Sequence, residues 1–150
     1  MDVFEIDISS FYPTKIDEVW PLAATPTGLI KLTPKIFQLV LQEPGVIEKG
    51  EFIRLGIKVP GLNQALDWIA EIVDCKSDGD RRFFVDRQSK GPFKFYEHLH
   101  VFEKGEGGTW VRDFIKFTPP KWSPAAVSKL SLERLIRGRH ENLKKTSVRF

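Results

Sequence analysis

The sequence predicts an α+β fold: a seven-stranded antiparallel sheet, with two short helices after the first strand and one long amphipathic helix after the last. Three observations carry this expectation. From Phe83 to Pro120, three runs of alternating residues are separated only by turn-forming segments, the pattern of consecutive antiparallel strands. Four further alternating runs precede them. After Pro119 and Pro120 the apolar period changes from that of a strand to that of a helix.

Val3 to Phe11 alternates, with Phe4, Ile6 and Ile8 on one side and Asp7 and Ser9 on the other, and reads as the first strand, closed by Pro13. Thr14 is placed to cap the next helix, Asp17 and Glu18 fall in its first turn, and Ile16, Val19, Trp20 and Ala23 form its apolar stripe. Pro21 lies inside that pattern and is expected to shorten or kink it. A second short helical turn covers Pro26 to Lys31. Ile36 to Gln42 is the second strand, and the EPGV after it a loop. Glu51 to Val59 is the third strand, with Ile53, Leu55 and Ile57 opposite Arg54 and Lys58, and Pro60 and Gly61 turn the chain. The fourth strand, Leu66 to Lys76, carries Trp68, Ala70 and Ile72 on one face, and Asp78, Gly79 and Asp80 form the hairpin into the fifth.

In the last three strands, one face collects Phe84, Asp86 and Gln88, then Tyr96, His98, His100 and Phe102, then Val111, Asp113, Ile115 and Phe117. That face mixes aromatic rings with polar groups, which suits a ligand pocket. A solid core excludes most such groups, because burying unpaired polar or charged side chains costs several kcal/mol each. Asp113, in an otherwise apolar row, requires a partner. The long helix starts near Ser123, with Pro124 at its first position. Val127, Leu130, Ile136 and Leu143, joined by Leu132 and Leu135, supply its stripe, and Lys129, Arg134, Arg137 and Lys144 occupy much of the rest. Trp20 and Trp122 are expected at helix ends. Gly105, Gly107 and Gly108 precede no helix and so form a turn, with no phosphate cradle.

The 150 residues suffice to bury a core without disulfides or a structural metal, and one domain over 1–150 is expected. The single cysteine, Cys75, excludes an internal disulfide framework and fits a reducing compartment. The start, MDVFEIDISS, has neither the basic residues nor the apolar run of a secretory signal, and no stretch is long enough to span a bilayer, so a soluble, cytoplasmic protein is expected. The net charge of +3 hides an asymmetry: residues 121–150 hold eight Lys or Arg against two Glu, while residues 1–120 are net acidic. A basic C-terminal helix of this kind is a solvated helix face or a docking surface for anionic membrane or RNA. Aromatic and basic residues do not interleave as in a single-strand binder, which makes nucleic acid the weaker partner.

Four segments together resemble a known family: the run PTKIDEVWPLAATPTGLIKLTP, the D-x-Q-x-x-G-P-F run from Asp86 to Phe93, H-x-H followed by G-G-T-x-V-x-D, and the terminal amphipathic helix. Over nearly its whole length the chain is similar to the SRPBCC superfamily, the START-like, helix-grip group that includes polyketide cyclase/dehydrases, lipid-transfer domains and coenzyme Q-binding proteins. The resemblance implies a curved sheet wrapped around the C-terminal helix, with a cavity between them for an apolar small molecule. It is specific for fold and not for function, since the group both binds and transforms ligands.

On these grounds the expected function is binding of a lipid, isoprenoid quinone or polyketide-like ring system, without a cofactor. Ile53, Leu55, Trp68, Phe84, Phe102, Val111 and Ile115 would supply apolar contacts, and Gln88, Tyr96, His98, His100 and Asp113 would orient the ligand. The alternative is a cyclase or dehydratase in which His98 works with Asp86 or Asp113 as an acid/base pair. No nucleophile motif is present. His98 and His100 share a strand face and could hold a metal with Asp86 or Asp113, but Glu103 follows too soon for a cupin-type site. Hydrogen bonds to neighbouring acids are the expected role of both imidazoles, and no metal is expected.

Overall fold

Alternating sequences become paired strands because each buries one face and hands its backbone groups to a neighbour. In the computed structural model, which describes residues 2–42, 45–58 and 66–147, the strands are β1 (Phe4–Tyr12), β2 (Leu39–Leu41), β3 (Phe52–Ile57), β4 (Leu66–Lys76), β5 (Arg81–Lys90), β6 (Phe95–Gly105) and β7 (Gly108–Thr118). They form one seven-stranded antiparallel sheet in the order β1-β7-β6-β5-β4-β3-β2. The helices are α1 (Ile16–Ala23), α2 (Pro26–Leu32) and α3 (Ala125–Ser147). Their order is the one expected, and α3 lies against the inward face of the sheet, touching β1 most extensively. No helix among the described residues is long and apolar enough to cross a membrane.

Several details differ from expectation. Lys15, and not Thr14, is the N-cap of α1, and it makes no side-chain capping bond. The carbonyl of Thr14 instead accepts a hydrogen bond from Thr109 Oγ1 at 2.6 Å, which ties the helix entry to β7. Pro21 lies inside α1, which extends for only eight residues. The second helix is better capped: Thr25 Oγ1 accepts from the Gly28 N–H at 2.9 Å, with Pro26 opening the first turn. The second strand is limited to three residues, because a turn closed by Phe37 N–H to Pro34 C=O at 2.9 Å takes up its expected beginning. Residues Glu43 and Pro44 of the expected loop, Val59 of the third strand and the Pro60–Gly61 turn lie outside the described residues.

The stripe of α3 is also rotated from its expected position. Val127 and Leu130 are exposed, while Ser128, Leu132, Leu135, Ile136, His140 and Leu143 are buried. Trp20 packs edge-on against Phe84 and Phe102, at 6.2 and 5.0 Å between ring centres. Trp122 stands in solvent.

The buried apolar residues fall into two clusters. One gathers Tyr12, Val19, Ile72, Phe84, Phe102, Val111 and Leu143 under α1 and α2. The other gathers Ile6, Ile8, Tyr96, Ile115, Phe117 and Ile136 at the opposite end of the sheet. On four elements that contribute to both sets a polar residue stands between them: Ser10 on β1, Asp113 on β7, His98 and His100 on β6 and His140 on α3, with Asp86 beside them on β5. A polar seam therefore crosses the interior.

Candidate functional site

Strand register assembles this seam. Asp86 stands opposite His98 across β5 and β6, and His100 opposite Asp113 across β6 and β7. The side chains then pair diagonally. His98 Nε2 lies 2.6 Å from Asp113 Oδ1, and His100 Nε2 lies 2.7 Å from Asp86 Oδ2. The helix closes the array, with His140 Nε2 2.5 Å from Asp113 Oδ2 and His140 Nδ1 2.7 Å from Ser10 Oγ. Tyr96 Oη is 3.4 Å from His98 Nδ1. Each imidazole presents its Nε2 to a carboxylate, the Nδ1 atoms of His98 and His140 face the Tyr96 and Ser10 hydroxyls, and His100 Nδ1 lies 3.4 Å from Asp113 Oδ1.

Burial and pairing compete in setting the charges of these groups. For Asp113 burial opposes ionisation, but hydrogen bonds from His140 and His98 outweigh it and hold the carboxyl well below the usual carboxylate range. Asp86 is likewise lowered, with the His100 bond overcoming burial. Burial and then the neighbouring His98 depress His100 to about 4, against the opposing pull of Asp86. Burial also raises the pKa of the Tyr96 hydroxyl. The rings themselves form a column: Phe84 stacks on His100 at 3.9 Å between ring centres, and His100 on His98 at 3.6 Å.

Beside this column lies a cavity of about 700 Å³, within the range of small-molecule sites. Its wall is largely apolar, with Ile53, Leu55, Trp68, Phe84, Leu132 and Leu135 among its residues. Asp86, Tyr96, His98, His100 and Arg139 concentrate polarity at one end. Thus seven of the side chains expected to contact a ligand line this space: Ile53, Leu55, Trp68, Phe84, Tyr96, His98 and His100. The other five are placed elsewhere. Phe102, Val111 and Asp113 border a void of about 20 Å³ behind the histidines. Ile115 is buried in the second apolar cluster. Gln88 closes the β5–β6 turn, donating from Nε2 to Phe93 C=O at 2.7 Å and accepting from the Phe93 N–H at 3.2 Å.

Two residues absent from the sequence expectations complete the site. His140 joins helix to sheet through Asp113. Arg139 lines the cavity while its Nε donates to Thr33 Oγ1 at 3.1 Å. Helical periodicity was the available signal. His140 follows Ile136 by four residues and precedes Leu143 by three, and Arg139 follows Leu135 by four, so both fall on the buried stripe. Basic residues on such a stripe require acidic or ligand partners.

Asp86, His98 and His100 bring one potential metal-ligating atom each within 4.8 Å of one another. Their arrangement fits a metal poorly. The two imidazole rings are stacked 3.6 Å apart and inclined by only 21°, so no nearby point lies in both ring planes, where one ion would have to sit to meet both lone pairs. Both Nε2 atoms already face carboxylates.

No protein-family model and no curated protein matches this sequence. The fold does match solved structures. Ara h 8.0201 superposes with a TM-score of 0.71 at 12% identity, covering 99% of this chain and all of its own. Major latex-like protein 151 of Panax ginseng gives 0.70 at 16% identity, with 97% of each chain covered. Norcoclaurine synthase of Thalictrum flavum, solved with dopamine and hydroxybenzaldehyde, gives 0.69 at 14% identity, covering 99% of this chain and 88% of its own. The seven-stranded sheet gripping a long C-terminal helix is therefore the START-like, helix-grip fold implied by the sequence resemblance.

Proposed function

We propose that this helix-grip protein binds an apolar small molecule, such as a lipid, an isoprenoid quinone or a polyketide-like ring system, between the sheet and α3. The observation that carries this is the cavity of about 700 Å³, apolar along most of its wall and polar at one end. Each 100 Å² of ligand surface withdrawn from water there contributes about 2.5 kcal/mol before the cost of association. Asp86, Tyr96 and Arg139 stand at the polar end to orient an oxygen-bearing group. Native mass spectrometry of the protein purified from its own host, with extraction of bound material, tests this. A stoichiometric apolar ligand is expected. A protein free of ligand that also excludes apolar fluorescent probes would overturn the proposal.

A second reading, acid/base catalysis in a cyclase or dehydratase, is favoured by the two carboxylate–imidazole pairs at 2.6 and 2.7 Å. Of the two acids, Asp86 lines the cavity and Asp113 does not. The pair placed to exchange a proton with a ligand is therefore Asp86 with His100, while His98 is engaged with Asp113 behind it. A neighbour of this fold that is named a synthase and was solved with two aromatic molecules is consistent with such chemistry. Once a ligand is known, Asp86→Asn separates the two readings. Turnover lost with affinity retained indicates catalysis; affinity lost with no turnover in the parent indicates a carrier.

A further inference from the structure

Three exposed apolar side chains stand at the mouth of the cavity. Ile36 is 72% exposed, Trp122 69% and Val127 54%, yet all three line the cavity. They come from separate segments: the turn after α2, the approach to α3 and the first turn of α3. Leu130, 49% exposed, extends the patch by one turn of α3. Apolar side chains gathered in water around an opening mark a contact surface.

Exposed cations outnumber acids around the opening, where Asp67 is paired with Lys90 at 3.6 Å and Glu133 adjoins Arg134. Exposed Lys58 and Arg134 line it, and exposed Lys35 and Lys121 are chain neighbours of Ile36 and Trp122. Asp86, at the polar end, is the one acid among the described lining residues. A second copy of the chain would oppose these cations with the same cations. A nucleic acid offers phosphates but no apolar phase for Ile36 and Val127. An anionic bilayer meets both requirements, and the interface between headgroups and chains is where a Trp side chain is best accommodated.

We propose that this rim docks on an anionic lipid bilayer. Ile36, Trp122 and Val127 enter the interface, Lys35, Lys58, Lys121 and Arg134 meet the headgroups, and the cavity opens towards the membrane. The proposal relocates the basic docking surface from the C-terminal helix as a whole to the cavity mouth.

Vesicle flotation tests it, using phosphatidylcholine vesicles with and without about one third phosphatidylserine, at low salt and at about 0.5 M salt. Binding is expected only with the anionic lipid and should weaken with salt. Lys58→Glu/Lys121→Glu should lower partitioning by about tenfold or more. Ile36→Ala/Trp122→Ala should weaken it with an unchanged melting temperature, since both side chains are exposed. Absence of binding to anionic vesicles, equal binding to neutral ones, or indifference to both double variants overturns the proposal. So does a concentration-dependent dimer abolished by Trp122→Ala. Uptake of an apolar fluorescent probe by the free protein is measured in parallel, so that failure to dock is distinguishable from failure of the cavity to bind.

Discussion

Asp113 and His140 connect the last strand of the sheet to the C-terminal helix, Oδ2 and Nε2 lying 2.5 Å apart, 27 residues distant in sequence. The other carboxylate oxygen reaches His98 on β6 at 2.6 Å. One buried acid thus receives donors from two elements and joins strand, neighbouring strand and helix. Paired buried charges contribute little compared with well-packed apolar groups, whereas removing one partner is costly.

Asp113→Ala is therefore expected to lower stability by about 3–5 kcal/mol, because the Nε2 atoms of His98 and His140 lose their acceptor in a dry interior. Asp113→Asn retains one acceptor oxygen and should cost less. Urea unfolding of the three proteins measures this, and an alanine variant within about 1 kcal/mol of the parent would show that the seam does not hold the helix.

Acidification should destabilise the fold in two steps. His100 has a folded pKa of about 4 against about 6.5 in the unfolded chain. Between these values the unfolded chain binds more protons, so stability falls as pH drops from about 6.5 to about 4, by on the order of 3 kcal/mol. Asp86 and Asp113 are depressed; their stabilisation is present above about pH 3.9 and is lost as pH falls further. Unfolding free energies across this range, compared with those of His100→Gln, isolate the first step. An unchanged slope in the variant would assign it to other groups.

Leu55 lines the cavity at the margin of the first apolar cluster, so Leu55→Trp has open space to fill. The substitution should change stability by less than about 1.5 kcal/mol while lowering uptake of an apolar fluorescent probe by about tenfold or more. Undiminished uptake with a cooperative unfolding transition would place the probe outside the cavity.

At Gly138 two opposing effects have known sizes. Alanine favours an α-helix over glycine by about 1 kcal/mol, but a Cβ here would lie 2.1 Å from Pro34 Cγ. The proline ring is stiff, and its displacement moves the segment that carries Ile36 at the mouth. Overpacking costs about 1–3 kcal/mol, so Gly138→Ala should destabilise on balance. A raised melting temperature would show that the Pro34 segment yields freely.

Much of this architecture was legible in the sequence, and the exceptions have physical causes. Period-two alternation located β4 to β7 and their inward face, because a face that is half aromatic is buried in only one register. It also placed Asp86, His98, His100 and Asp113 on one side. It left the pairing undecided, since alternation fixes a face and says nothing of diagonal contacts. Of the two acids open to His98, it is Asp113 that it meets, while Asp86 meets His100. His140 and Arg139 share the spacing of the apolar stripe of α3 but not its chemistry, so apolar periodicity alone does not single them out. The same periodicity puts Val127 and Leu130 on the buried stripe. They are apolar, but the helix is rotated so that its polar residues meet the seam. Gln88 was placed on the correct face, yet the turn at Gly91 and Pro92 draws it back to Phe93.

The sheet order has a consequence for how the interior forms. Strands β3 to β7 each pair with their immediate predecessor, whereas β1 pairs with β7, bringing Phe4 opposite Phe117. Hairpins close early and cheaply in entropy, while an end-to-end pairing must wait for the intervening chain to be ordered. Ser10 and His140, on β1 and α3, then arrive last. Until they do, Asp113 has only β6 and water as partners. The polar seam is therefore completed only when the two ends of the chain meet, which makes its closure a long-range event separate from the early meander.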